Sequence, residues 1–456
     1  MKWINEQIKV YDGQNAIIIN DQVFSYSQLS KQISKYYKLL IDLPGSRNKI
    51  FAVISDYCFE SIAFFFALFE NNNIIVPITS RIENEIKERI NITNTDYVVK
   101  IINNRIIINS LDNDSDTNPL VYKLQTDNHA GLILFSSGST GTPKAMIHNL
   151  DNLVDTYQNK KGKNLTFLIF LMFDHIGGLN TLLNCIAIGV TMVFPSIRDP
   201  EHICSLIEQY KINVLPASPT FLNLILISES YNKHDLSSLR LVTYGTEPMP
   251  ENLLLRLKDI FPRVKFLQTF GTSETGIAKV SSKSSESTYL KFDDPNTEYK
   301  LVTHELWLRT KTQILGYINS SMERFTDDGW FKTGDVVEEI EDNYIKIIGR
   351  SQEIINVGGE KVLPSEIESV LFQISELVDC IVYGEKNIIT GQIVVAKVLL
   401  KNQDNLSTLE TKKIITKFCK GKLDNFKIPA KVVKMNKSEY SERFKKNRIA
   451  SGNIQH

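Results

Sequence analysis

Cysteine is scarce in this 456-residue chain: five residues, Cys58, Cys185, Cys204, Cys380 and Cys419, scattered and without a C-x-x-C pair. That excludes a disulfide framework and a cysteine-based zinc site, and it fits a reducing compartment. A surplus of one charge is also missing, since 52 Lys and Arg balance 52 Asp and Glu. A dedicated nucleic-acid binder carries a basic surplus, so no nucleic-acid partner is expected. Long apolar runs are absent too. Leu165 to Phe173 and Leu182 to Phe194, the second broken by Asn184, fall short of the ~20 residues that span a bilayer. The opening MKWINEQIKVYDG lacks the apolar stretch of a secretory signal. These absences predict a soluble, cytoplasmic protein with no membrane span.

What is present suits a large core. Apolar residues make up 42% and charged residues 23%, near the globular average. The length corresponds to about three folding units at ~150 residues each, or to one large domain plus a small one. Short Ile- and Val-rich runs (Lys49 to Ser55, Ile74 to Ile78, Gly131 to Phe135, Val190 to Phe194, Val214 to Ala217, Leu239 to Tyr244) alternate with helix-like stretches. The latter include Tyr57 to Glu70, Gly178 to Ile188, Pro200 to Tyr210 and Pro250 to Ile260. That alternation predicts α/β layers with largely parallel sheets. From about Lys300 strand-like segments crowd together, which predicts antiparallel pairing. Residues 410–456 hold 13 Lys and Arg against 4 Asp and Glu. Such a segment is either a solvated basic face or a surface that meets a polyanion such as a nucleotide phosphate.

The most informative stretch is GLILFSSGSTGTPKAM, Gly131 to Met146. An apolar strand runs into Ser136, Ser137, Gly138, Ser139, Thr140, Gly141, Thr142, Pro143 and Lys144. Small residues let backbone N–H groups approach an anion, hydroxyls add donors, and Lys144 adds charge. A Walker A loop needs Gly before the Lys and Ser or Thr after it. Pro143 and Ala145 stand there instead, which disfavours a P-loop kinase or GTPase.

This segment resembles the signature loop of the adenylate-forming superfamily, [ST]-S-G-[ST]-T-G-x-P-K-G, differing at Ala145. That superfamily joins acyl- and aryl-CoA ligases, peptide-synthetase adenylation domains and beetle luciferases. Further stretches are similar to its other motifs, in order: FSYSQL (Phe24 to Leu29), YGTEPMP (Tyr244 to Pro250), FGTSETG (Phe270 to Gly276), WFKTGDVVE (Trp330 to Glu338) and GRSQEIINVGGEKVLPSEIE (Gly349 to Glu368). The resemblance spans essentially the whole chain. It implies a large N-terminal domain of layered α/β sheets, residues 1–350, and a small mobile α+β C-terminal domain, residues 351–456.

The resemblance also implies roles. Glu274 would hold Mg²⁺ on the ATP phosphates, because a hard cation takes carboxylate and phosphate oxygens together. Phe270 would stack on adenine, with Gly271, Thr272 and Ser273 in the same turn. Thr246, Glu247 and Pro248 would shape the adenine slot. Asp335 would accept from the ribose hydroxyls, and Arg350 would contact the ribose. His175 and Ile176, in FDHIGGL, would border the acyl pocket with Gly245. Amino-acid-activating relatives place an Asp here, so Ile176 points to a non-amino acid, although Asp174 keeps another register open. Gln352 matches the hinge, and Gly358 and Gly359 would line the thiol channel. The family's terminal G-K-x-x-R places Lys445 at the catalytic position, with Phe444 in place of Gly and Lys446 as a rival. A lysine ~4 Å from a developing charge contributes about 4 kcal/mol at an effective dielectric of ~20.

The implied reaction is carboxylate plus MgATP giving acyl-AMP and pyrophosphate, followed by thiol attack that releases AMP and a thioester. The implied cofactors are ATP, Mg²⁺ and CoA. Alternatives are a carrier-protein phosphopantetheine as acceptor, a non-catalytic nucleotide-binding homologue prompted by Phe444 and Gln352, and, more remotely, a light-producing oxidase. The expected partners are a small-molecule carboxylic acid and the thiol, with the chain a monomer or homodimer.

Overall fold

The computed structural model describes residues 2–112, 117–136, 142–401, 406–441, 444–446 and 448. Two seven-stranded sheets form the large domain. In the first, strands Lys265–Gln268, Leu241–Tyr244, Val214–Ala217, Thr166–Leu168, Thr191–Phe194 and Asn15–Ile19 run parallel, and Gln22–Ser25 closes the edge antiparallel. The second has a parallel centre of Gly131–Phe135, Ile74–Ile78, Ile50–Ile54 and Tyr97–Ile102, flanked by antiparallel edge strands. The central strands are continuous apolar runs because both of their faces are covered.

Helices fill the space between the sheets. Phe59–Glu70 (FESIAFFFALFE) is buried at every residue but the last, and an all-round apolar helix belongs in a layer interior. Its start is set by Cys58 and Ser61, which cap each other's backbone N–H groups. Phe64, Phe65, Phe66 and Phe69 join Phe51, Leu132, Met192 and Phe173 in one core. The fold class and the strand positions expected from the sequence are present, with boundaries shifted by at most two residues in most elements.

The change to antiparallel pairing begins at Phe270, about thirty residues earlier than expected. A small ladder, Phe270–Thr272 with Gly276–Ala278, precedes a six-stranded antiparallel sheet that ends with Tyr344–Arg350. Beyond Arg350, the described strands pair only with one another: Glu360–Val362, Ile355–Val357, Gly391–Leu400, Leu377–Asn387 and Lys431–Lys434. Helices Pro364–Leu371 and Thr408–Cys419 pack on this small sheet around a core of their own.

Candidate active site

Four parallel strands of the first sheet stop at one cleft. Thr166–Leu168 leads to Leu171 and His175, Val214–Ala217 ends on the wall, Leu241–Tyr244 is followed by Gly245 and Thr246, and Lys265–Gln268 by Thr269 and Gly271. Carboxyl ends of strands in open α/β sheets are where ligands bind. From the second sheet, Gly131–Phe135 delivers Ser136, and Lys144 returns to the same space. The cleft encloses about 590 Å³.

The two ends of the phosphate-type loop are tied together. Ser136 N–H donates to Lys144 O at 3.0 Å. Asn319 accepts from Ala145 N–H and donates to Pro143 O, both at 2.9 Å. Ser137, Gly138, Ser139, Thr140 and Gly141 lie outside the described residues, and Thr142 is exposed and off the wall.

Glu274 reaches the cleft from the tight ladder around Thr272. The Tyr317 hydroxyl donates to Glu274 Oε1 at 3.0 Å, and Arg324 Nη1 lies 3.8 Å from that same oxygen. Burial and the Glu274 charge hold the Tyr317 hydroxyl well above its ordinary pKa, so it remains a donor. Arg324 is fixed in turn by the carbonyls of Lys332 and Thr333. Among the described residues, no group of three or more His, Cys, Asp or Glu converges as a metal site. Mg²⁺ commonly takes one or two carboxylates and completes its shell with phosphate oxygens and water. Glu274 therefore fits a metal that arrives on a polyphosphate.

His175 does two things at once. Its Nδ1 accepts from Gly177 N–H at 3.0 Å, capping helix Ile176–Ile188, and its ring faces the cleft beside Ile176. Asp174 is buried, 3.9 Å from Arg89, and is not on the wall. Gly245 is required by a close approach: a β-carbon there would lie 2.6 Å from Thr269 Oγ1 and 2.8 Å from Thr269 O. Thr246 follows in a left-handed conformation, φ 75°.

Several expected placements are corrected. Phe270 sits between Thr269 and Gly271 and so points to the other side of the chain. Its ring is buried with Leu290, Leu306 and Phe292 and is not on the wall. Glu247 and Pro248 line a second cavity of about 440 Å³ between the domains. There Glu247 accepts from Thr220 N–H at 2.7 Å and from Lys446 N–H at 3.4 Å. Asp335 lies behind the wall, 4% exposed, bound by Arg350 Nε at 3.0 Å, while Arg350 itself faces the cleft. Burial raises the Asp335 carboxyl, opposed by the Arg350 guanidinium. Gly358 and Gly359 form the turn of a hairpin at φ 60° and 94° and are not part of the cleft. Gln352 lines it, as does Glu353.

The C-terminal segment enters from the small domain. Lys445 is on the cleft wall. Lys446 turns the other way, 3.0 Å from Glu368, which also holds Arg448 at 2.8 Å. Burial raises the pKa of Glu368, but Arg448 and Lys446 outweigh it, and the carboxyl ends below its ordinary range. Burial likewise lowers that of Lys446, and Glu368 more than offsets it.

Two family models match this chain. The AMP-binding enzyme model covers residues 4–306, and the AMP-binding enzyme C-terminal domain model covers residues 366–445. The chain belongs to the AMP-binding enzyme family. Among its relatives in that family, 4-coumarate–CoA ligase-like 9 of Arabidopsis thaliana is 28% identical over 320 residues, covering 64% of this chain and 57% of the relative. Indoleacetate–CoA ligase of Aromatoleum aromaticum is 27% identical over 328 residues, covering 66% and 62%. The chain spans between 56% and 62% of the length of such relatives. The same fold occurs in an anthranilate CoA ligase bound to anthranoyl-AMP (TM-score 0.81, 19% identity, 98% of this chain and 96% of that one). It also occurs in the o-succinylbenzoate CoA synthetase of Bacillus subtilis (TM-score 0.78, 19% identity, 100% and 98%).

Sequence reasoning did not find Tyr317, Arg324 and Glu353 on the cleft wall, or Asn319 behind the loop. Each reaches its partner through pairing between distant strands or turns, and no local pattern signals that. No helix among the described residues is long and apolar enough to cross a membrane.

Proposed function

We propose that the chain activates a non-amino carboxylic acid as acyl-AMP, releasing pyrophosphate, and then transfers the acyl group to a thiol, with CoA as the acceptor. The observation that carries this reading is the convergence of Lys445, from the small domain, on a cleft that already presents Ser136, Lys144, Glu274 and Arg350. We place the domain boundary after Arg350, where the sheets change, and the hinge at Gln352.

ATP would lie with its adenine against Gly245 and Thr246. The Thr246 Oγ1 is buried with no hydrogen-bond partner among the described residues, which suits a polar edge of the base. Lys144 and the hydroxyls of the loop would hold the phosphates. Glu274 would hold Mg²⁺, which neutralises phosphate charge when bound. The acid would enter between His175, Ile176 and Gly245, and among the described residues the carboxylates on the cleft wall are Glu274 and Glu353.

In the first step a carboxylate oxygen forms a bond to the α-phosphorus, and the bond from that phosphorus to the bridging oxygen breaks, freeing pyrophosphate. Two anions must meet. Lys445 would lie between carboxylate and α-phosphate, where charge stabilisation of this kind gives roughly 10²–10³-fold in rate. In the second step the thiol sulfur bonds to the acyl carbon, AMP leaves with the bonding electrons, and the thiol proton passes to solvent. For that step the small domain would turn, carrying Lys445 out and the Gly358–Gly359 hairpin in.

The test is acid-dependent pyrophosphate release from MgATP, with and without CoA. The panel holds 4-coumarate, indoleacetate, anthranilate, o-succinylbenzoate and short straight-chain acids; aryl acids come first because the relatives are named for them. Release with CoA consumption is expected. Acyl-AMP formation with CoA untouched would move the acceptor to a carrier protein. ATP binding without release for every acid would overturn the reading.

A further inference from the structure

Phe444 is where the tail departs from G-K-x-x-R, and it ties the tail to the large domain. Its backbone lies at φ 51°, in the left-handed region that glycine enters freely and a side chain does not. Two hydrogen bonds hold it: Phe444 N–H donates to Ser441 O at 2.8 Å, and Ser441 N–H to Lys445 O at 2.9 Å. A non-glycine residue keeps such a backbone only when its surroundings over-determine it.

The surroundings are aromatic. The Phe444 ring, 8% exposed, packs 5.2 Å from Phe170 and 5.1 Å from Phe221, with Tyr440 stacked at 5.1 Å. Phe170 follows strand Thr166–Leu168, and Phe221 is in helix Pro219–Ser228; both belong to the large domain. Ser218 caps that helix by accepting Phe221 N–H at 3.1 Å, and it donates its hydroxyl to Phe444 O at 2.8 Å. One residue further on, Lys445 faces the cleft; two further on, Lys446 is buried on Glu368 of the small domain. The large domain thus holds Phe444 on one side of Lys445, and on the other Lys446 pairs through its side chain with Glu368 of the small domain and through its N–H with Glu247 of the large one.

We propose that Phe444 is a positioning residue: seated in the large domain's aromatic pocket, its ring aims Lys445 into the cleft for adenylation, and its withdrawal is part of releasing Lys445 before the thiol step. The inference rests on the reading of Lys445 given above. A glycine in this place would make the same turn but would leave the lysine without this anchor.

The experiment separates the half-reactions in the full chain. Adenylation is followed as acid-dependent pyrophosphate release in a single turnover at saturating MgATP and the panel's active acid. Thiol transfer is followed as thioester formation from that acid's acyl-AMP, added preformed with CoA. Phe444→Ala and Phe444→Gly should each lower adenylation by ~10- to 100-fold, the scale of a misplaced catalytic group, while the MgATP concentration that gives half the maximal rate, found by repeating the turnover over a range of ATP, changes little. Thioester formation from supplied acyl-AMP should not fall. Phe444→Leu, which refills the pocket, should recover most of the adenylation rate. Phe444→Gly placed on Lys445→Ala should add no further loss, because the ring acts only through that lysine.

A general packing role would lower both half-reactions together, and that result overturns the proposal. So does unchanged adenylation in Phe444→Gly, or a loss additive with Lys445→Ala. If Lys445→Ala removes adenylation while Phe444→Gly does not slow it, this inference alone falls. If Lys445→Ala leaves adenylation intact, or no acid in the panel gives release, the functional reading falls and this inference with it.

Discussion

Lys445 and Lys446 are neighbours in the chain with opposite surroundings: Lys445 lines the cleft, and Lys446 makes a 3.0 Å ion pair with Glu368 at the second cavity, between the domains. Their alanine variants should therefore fail in different assays. Lys445→Ala should lower acid-dependent pyrophosphate release by roughly 10²–10³-fold with an unchanged urea midpoint. Lys446→Ala takes one of two cationic partners from the buried Glu368 carboxylate, with Arg448 remaining at 2.8 Å, and should appear first as a lower urea midpoint. Equal midpoints for the two variants would contradict the assignment.

Tyr317 and Glu274 give a second prediction. Tyr317→Phe keeps the ring and removes a hydrogen bond to a charged group, an interaction of about 1.5–3 kcal/mol. The Glu274 carboxylate loses its 3.0 Å donor, so kcat/KM for MgATP should fall by roughly 10- to 100-fold at constant fold stability. Steady-state pyrophosphate release across ATP concentrations checks it; a loss under twofold would count against Glu274 as the phosphate-side carboxylate.

Gly245 gives a third. In Gly245→Ala the new methyl meets Thr269 Oγ1 and O, 2.6 and 2.8 Å away, and overpacking of this kind costs about 1–3 kcal/mol. Gly245 and Thr269 both border the cleft. Nucleotide affinity, measured calorimetrically with ATP, should therefore weaken more than the melting temperature falls.

His148 sets a pH dependence. It is wholly buried in strand Ala145–Asn149, and burial lowers its imidazole from 6.5 to about 4. The unfolded chain takes up this proton near 6.5, while the folded chain resists until about 4. Between those values the unfolded state binds more protons, so stability is full above 6.5 and falls on acidification, by up to roughly 3 kcal/mol at the lower end. Urea unfolding at pH 7 and pH 5 should show that drop, and His148→Leu should flatten it.

Much of this was legible in the sequence. The strands around Gly131 to Phe135 and Val214 to Ala217 could be read because their continuous apolar runs have one physical cause, burial on both faces. The cleft residues Ser136, Lys144 and Gly245 sit directly beside strand ends, Glu274 in the turn of a short ladder and His175 at a helix N-cap, where motif and position coincide. Phe270 and Glu247 were misplaced because a motif fixes residue order and not side-chain direction. A one-residue alternation turned the Phe270 ring into a core, and the interdomain turn gave Glu247 to Thr220 and Lys446. Tyr317 and Arg324 were illegible because they reach Glu274 only through the fold, across 43 and 50 positions of chain.

Lys446 and Arg448 join the segment bearing Lys445 to Glu368 of the small domain. On the reading proposed above it would travel as freight with that domain, like one arm of a balance whose other arm carries the Gly358–Gly359 hairpin. Under the proposed cycle both arms cannot be down at once, so the mixed anhydride has an interval in which neither the lysine nor the thiol attends it. Scarcity of acceptor lengthens that interval. Wasteful hydrolysis, counted as ATP consumed per thioester formed, should then rise as the acceptor is diluted.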